Sequence, residues 1–143
     1  MTTRINDILE FAIEREQEAY ELYVDIASKT EKEYLKKVFL EYAEEEKHHK
    51  AKLEAIRDGK EGFRSTTDVV DLKIADYLVD IKLDEDLDYQ GALIFAMKNE
   101  KAAFRLYSDL ANYWDGEIRD TFLALAQEEA KHKLRFEIDY DSY

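Results

Sequence analysis

Apolar residues recur at intervals of three and four along most of this chain and sort into four long seams. The first holds Ile5, Leu9, Ala12, Glu16, Ala19, Tyr23 and Ile26, which predicts a helix from about residue 5 to residue 29. The second holds Leu35, Val38, Tyr42, Glu46, His49, Leu53 and Ile56. Thr30, with Glu33 three residues on, reads as a capping box opening that helix, and Gly59 as its stop after Arg57. The third seam is Leu93, Ala96, Glu100, Ala103, Tyr107 and Leu110, with Asp86 or Asp88 as the cap. The fourth is Ile118, Phe122, Leu125, Glu129, His132 and Phe136, opened by the turn Asp115-Gly116. Between the second and third seams, the run VVDLKIADYLVDI at 69–81 predicts a shorter amphipathic helix capped by Ser65, Thr66 or Thr67. The closing IDYDSY is expected to be mobile.

Short joins make antiparallel hairpins of 5–57 and 89–138, and the connection at 58–88 lets the second cross over beside the first. Either hairpin alone would expose its apolar seam. The expected architecture is therefore all-α, an antiparallel four-helix bundle with a long crossover connection between two helical hairpins, forming one domain over 1–143.

The two halves repeat each other. FAIEREQEAYELYVDIA and FAMKNEKAAFRLYSDLA align at a shift of 84, which matches Glu16 with Glu100 and Tyr23 with Tyr107. FLEYAEEEKHHK and FLALAQEEAKHK align at a shift of 83, which matches Glu46 with Glu129 and His49 with His132. Each half thus carries one seam glutamate and one Glu-x-x-His.

Composition narrows what these residues can do. The net charge of −13 argues against nucleic acid and against anionic membrane surfaces. No apolar run approaches the roughly 20 residues of a membrane span. The start, MTTRINDILEFAIERE, is amphipathic and acidic, so it reads as neither a secretory signal nor a transit peptide, and a cytoplasmic location is expected. Zero cysteines excludes disulfides, iron–sulfur clusters and thiol chemistry within this sequence.

Acidic residues number 34, so a helical glutamate means little unless it lies on a seam. Glu16, Glu46, Glu100 and Glu129 do, among Ala, Leu, Phe and Tyr. Burying an unpaired carboxylate costs several kcal/mol, and four facing one another repel besides. The seams offer no Lys or Arg at that level, so the compensating charge is metal. Four carboxylates and two neutral imidazoles sum to −4, which two divalent ions balance. The i, i+3 spacing puts a carboxylate oxygen and an imidazole nitrogen on one helix face. Oxygen and nitrogen donors without sulfur suit iron or manganese, with zinc as an alternative. Glu45/His48 is a second i, i+3 pair, but the seam and the repeat both favour Glu46/His49; the match to His48 is Lys131. Tyr23 and Tyr107, two turns beyond Glu16 and Glu100, are either core aromatics or partners of the ligand carboxylates.

FLEYAEEEKHHKAKL and FLALAQEEAKHKLRF, with Glu16 and Glu100 upstream, resemble the rubrerythrin branch of the ferritin-like di-iron carboxylate superfamily over nearly the whole chain. The resemblance implies a ferritin-like fold and two iron ions held by Glu16, Glu46, His49, Glu100, Glu129 and His132, with Glu46 and Glu129 bridging. It also implies a homodimer, and an oxidoreductase that reduces peroxide or O2. Full rubrerythrins carry a rubredoxin-type domain with four iron-binding cysteines; this sequence has none, so electrons are expected from a separate donor protein. The extra glutamate that the family places one turn beyond the helix-three ligand falls near Ala103 here. The alternatives are a ferroxidase-type iron-sequestration protein and a structural dinuclear site.

Overall fold

The computed structural model describes residues 3–59, 69–79 and 88–142. Four helices build it: α1 (Ile5–Lys29), α2 (Glu33–Arg57), α3 (Tyr89–Leu110) and α4 (Gly116–Ser142). The architecture is the all-α ferritin-like four-helix bundle. Its order is fixed by which helix ends share a core. Ile8 and Leu9 at the start of α1 pack with Ile56 near the end of α2, Leu110 at the end of α3 and Phe122 near the start of α4. A second core joins Tyr23 and Ile26 to Phe39, to Leu93 and to Phe136. Helix α1 is therefore antiparallel to α2 and α3 and parallel to α4. Each core closes one end of the bundle, and the seam glutamates and histidines lie between them.

The α1–α2 join differs from the capping-box expectation. Thr30 closes α1, its N–H donating to the Ile26 carbonyl at 3.2 Å, and its hydroxyl accepts from the Lys32 N–H at 3.3 Å. Helix α2 starts after Lys32, whose carbonyl accepts from Leu35 and Lys36. Three residues must reverse the chain, and extended backbone at Thr30 and Lys32 does it, leaving no capping box. At the other end Gly59 (φ 79°) adopts the left-handed conformation that follows a helix C-cap. Asp88 caps α3, accepting from the Gly91 N–H at 2.7 Å, whereas Asp86, Ser65, Thr66 and Thr67 lie outside the described residues. Gly116 (φ 65°) makes the turn into α4.

The helix expected at 69–81 is absent over its described part. Val69–Val70 pairs antiparallel with Thr3–Arg4, and a 3₁₀ turn covers Ile74–Tyr77. The reason lies in the pattern Val70-Asp71-Leu72-Lys73-Ile74, which alternates with period two and suits extended chain. Leu72 and Ile74 pack on the first core, and the buried Tyr77 donates to Asp109 of α3 at 2.6 Å. The closing segment also departs from expectation. Helix α4 continues to Ser142, because Asp139 turns inward to accept from the buried Tyr89 hydroxyl at 2.9 Å. Among the described residues no helix is long and apolar enough to cross a membrane.

Candidate metal centre

Each helix delivers its polar residues to the middle of the bundle through the register that buries its apolar ones. Glu16 follows Leu9 and Ala12 down the α1 seam; Glu100 follows Leu93 and Ala96 down that of α3. Glu46 with His49, and Glu129 with His132, occupy one turn each of α2 and α4. All six are at most 2 % exposed. His48 points to solvent, which fixes the register on His49.

The six form two overlapping groups. Glu16, Glu46, His49 and Glu129 bring four donor atoms within 4.8 Å of one another, and so do Glu46, Glu100, Glu129 and His132. Glu46 and Glu129 belong to both, the placement expected of bridging carboxylates. His49 Nδ1 is 2.8 Å from Glu129 Oε1, and His132 Nδ1 is 3.0 Å from Glu46 Oε1. Yet neither Nδ1 makes a hydrogen bond, nor do Glu16 Oε2, both oxygens of Glu46, Glu100 Oε2 or Glu129 Oε1. Seven buried polar atoms thus converge without partners. Each such atom costs about 1–3 kcal/mol or more when nothing satisfies it. Oxygen and nitrogen donors in two sets of four are what two divalent ions need, and the residues fit that group.

The outer side of each imidazole is held from across the bundle. His49 Nε2 bonds Glu128 of α4, and His132 Nε2 contacts Glu45 of α2 at 3.0 Å. A carboxylate on Nε2 favours a proton there, so that a neutral ring would turn its Nδ1 lone pair inward toward a bound ion. Glu45 and Glu128 were not singled out as helpers by the sequence pattern. They correspond at the shift of 83, and that match was the available signal. Tyr42 stacks on His132 at 4.0 Å between ring centroids, while its counterpart is Leu125, so the two halves are not equivalent. Of the two tyrosines, Tyr107 donates to Glu16 Oε1. Tyr23 lies edge-on to the His132 ring and its hydroxyl has no hydrogen-bond partner.

With protein groups alone, the charges conflict. Burial, then the charges of Glu129 and Glu16, push Glu46 well above the usual carboxylate range. Burial and the Glu100 and Glu16 charges do the same to Glu129. Glu100 is raised by burial and by Glu16. Burial would lower His49, but the facing carboxylates of Glu129 and Glu16 carry it up to about 11. Burial would raise Glu16 too; the groups around it, Glu46, His49 and Tyr107, outweigh that and leave it lowered. Protons therefore occupy places that cations would take.

A cavity of about 30 Å³ opens between α1 and α3 onto Glu16, Glu46, Glu100 and Glu129. Arg15, Glu18 and Asn99 stand at its rim, and Phe11, Ala103 and Leu106 on its wall. It exceeds the roughly 10–15 Å³ needed to hold a water.

The model of the Rubrerythrin family matches residues 7–137. The chain belongs to the rubrerythrin family. A hypothetical protein from Pyrococcus furiosus shares its fold, at 27% identity and a TM-score of 0.72, over 95% of this chain and 87% of that one. No curated protein gives a significant match. The family carries a ferritin-like di-iron fold, and the buried glutamates and histidines described above lie inside the matched span. Ala103, where full rubrerythrins place an extra glutamate, opens space over the cage here, so these four carboxylates are the acidic groups at the cavity floor.

Proposed function

We propose that this rubrerythrin-family protein holds two iron ions and reduces peroxide or O2 with electrons from a separate donor. The supporting observation is the convergence of seven unpartnered buried donor atoms on two overlapping four-residue groups. Glu16 and His49 would hold one ion, Glu100 and His132 the other, with Glu46 and Glu129 shared. Manganese or zinc satisfies the same donors. When bound, a pair of redox-active ions supplies the two electrons that an oxidant takes up.

The protein's own part is positioning. Glu128 and Glu45 orient the imidazoles, and Tyr107 holds the outer oxygen of Glu16. Neither oxygen of Glu46 is tied by a hydrogen bond, nor is Oε1 of Glu129, so these oxygens would be available to bound ions. The cavity beside Ala103 admits small oxidants and excludes bulky ones. Net charge and composition favour no nucleic-acid or membrane partner, and a cytoplasmic homodimer completes the reading.

Stopped-flow mixing of the ferrous protein with each oxidant tests this. Oxidation by peroxide at least as fast as by O2 is expected. Faster oxidation by O2 would move the reading to a ferroxidase, which the alanine at position 103 permits. No reaction with either, in a protein holding two irons, would reduce the site to a structural one.

A further inference from the structure

Most of the cavity over the centre obeys the internal repeat. Arg15 with Asn99, Ala19 with Ala103, and the glutamates among themselves line it in pairs related by the shifts of 84 and 83. Phe11, Leu106 and Tyr107 line it without their counterparts, since Phe95, Leu22 and Tyr23 lie outside the lining. All three stand on one side, toward the start of α1 and the end of α3. The cavity therefore has a mainly apolar arm in that direction alone.

Tyr77 meets this arm from the crossover. Among the described residues it is the one lining group that comes from outside the four helices. It is 4 % exposed and packs in the same core as Phe11 and Leu106. Its hydroxyl donates to Asp109 at 2.6 Å, and the Arg105 guanidinium lies 5.8 Å from its ring centroid. Leu72 and Ile74, packed on that core, anchor the segment that carries it. The crossover occurs once in the chain, so the repeat supplies no second tyrosine of this kind.

The half-buried Arg15 and the exposed Glu18 mark the side of the cavity that meets solvent, and Tyr77 closes the inner end. A space of about 30 Å³ holds roughly two waters at about 10–15 Å³ each. Hydrogen peroxide and O2 are of that size. The rim is charged and polar, so an alkyl tail would seek the arm between Phe11 and Leu106, where it meets the Tyr77 ring.

We propose that Tyr77 limits the centre to small oxidants by occupying the space that an alkyl tail would need, an inference that rests on the oxidoreductase reading. Organic hydroperoxides are shut out until the ring is removed.

Protein loaded with cobalt(II) tests this without turnover, through its visible spectrum. Formate and butyrate carry the same carboxylate head and differ in the tail. Formate should shift the spectrum of the unaltered protein, and butyrate should leave it unchanged. Tyr77→Ala, and Tyr77→Leu as a milder truncation, should raise butyrate affinity at least about tenfold and leave formate affinity as it was. Tyr77→Phe keeps the ring and should behave as the unaltered protein. Phe95→Ala removes a ring at the opposite end, outside the lining, and should not admit butyrate. Butyrate binding to the unaltered protein would overturn the proposal. So would its admission by Phe95→Ala as readily as by Tyr77→Ala, or its exclusion from both truncated Tyr77 variants. A spectrum that formate leaves unchanged would overturn it too, because the cavity would then not reach the ions. Size selection in the cobalt form, beside an iron form inert to peroxide and O2, would be a failure of the oxidoreductase reading alone.

Discussion

His49 and His48 are neighbours with opposite fates, one buried among carboxylates and the other in solvent. His49→Ala or His132→Ala should remove most metal at one position, and His48→Ala should leave metal content unchanged; elemental analysis of the three variants checks it. Glu45→Gln and Glu128→Gln weaken the grip on the imidazoles and should lower metal affinity by about 10–100-fold, read by competition with a chelator. At this scale the sequence was most legible for the six inward residues, since a carboxylate on an apolar seam contradicts its surroundings. Glu45 and Glu128 were harder to see because they sit among many solvated acids, and only the approach of α2 to α4 gives them a role. Tyr23 was indistinct for another reason: spacing places its ring but not the partner of its hydroxyl.

The helices themselves were readable wherever one face stayed apolar for several turns, as in α1, whose seam is buried from Ile5 to Ile26. Short and composite segments were not. The run from Val70 to Ile74 carries a period of two beside helix-like spacing, and pairing of Val69–Val70 with Thr3–Arg4, just before α1, decides for extended chain at its start. Near the end of α4, an aspartate in an acidic tail looked like a solvated group. It is instead the acceptor that anchors the last turn to Tyr89. Tyr89→Phe leaves the buried Asp139 carboxylate without that donor and should cost about 1–3 kcal/mol, measured by urea denaturation. An unchanged midpoint would mean that the last turn contributes nothing to stability.

Across the whole molecule, two apolar cores flank a layer of buried charge, so stability depends on what neutralises that layer. In metal-free protein Glu46, Glu100 and Glu129 have folded pKa values above the unfolded 4.5, and His49 has about 11 against 6.5. Their proton-linked stability is present below those unfolded values and is lost as pH rises through the folded ones. Glu16, lowered, works the other way, and its contribution is lost in acid below 4.5. Melting temperatures of metal-free protein should therefore fall from mildly acidic pH toward about 11, and metal should flatten that dependence. At a thousandfold excess over its dissociation constant, metal adds about 4 kcal/mol. Binding must also expel the protons held by Glu46, Glu100, Glu129 and His49, so affinity should rise with pH and titration calorimetry in two buffers should show proton release.

The most direct measurement is metal content with anomalous diffraction on crystals of protein purified without chelator. The account predicts two ions per chain, one ligated by Glu16 and His49, the other by Glu100 and His132, with Glu46 and Glu129 contacting both. Protein that takes up no metal, or holds it away from these six residues, would contradict it.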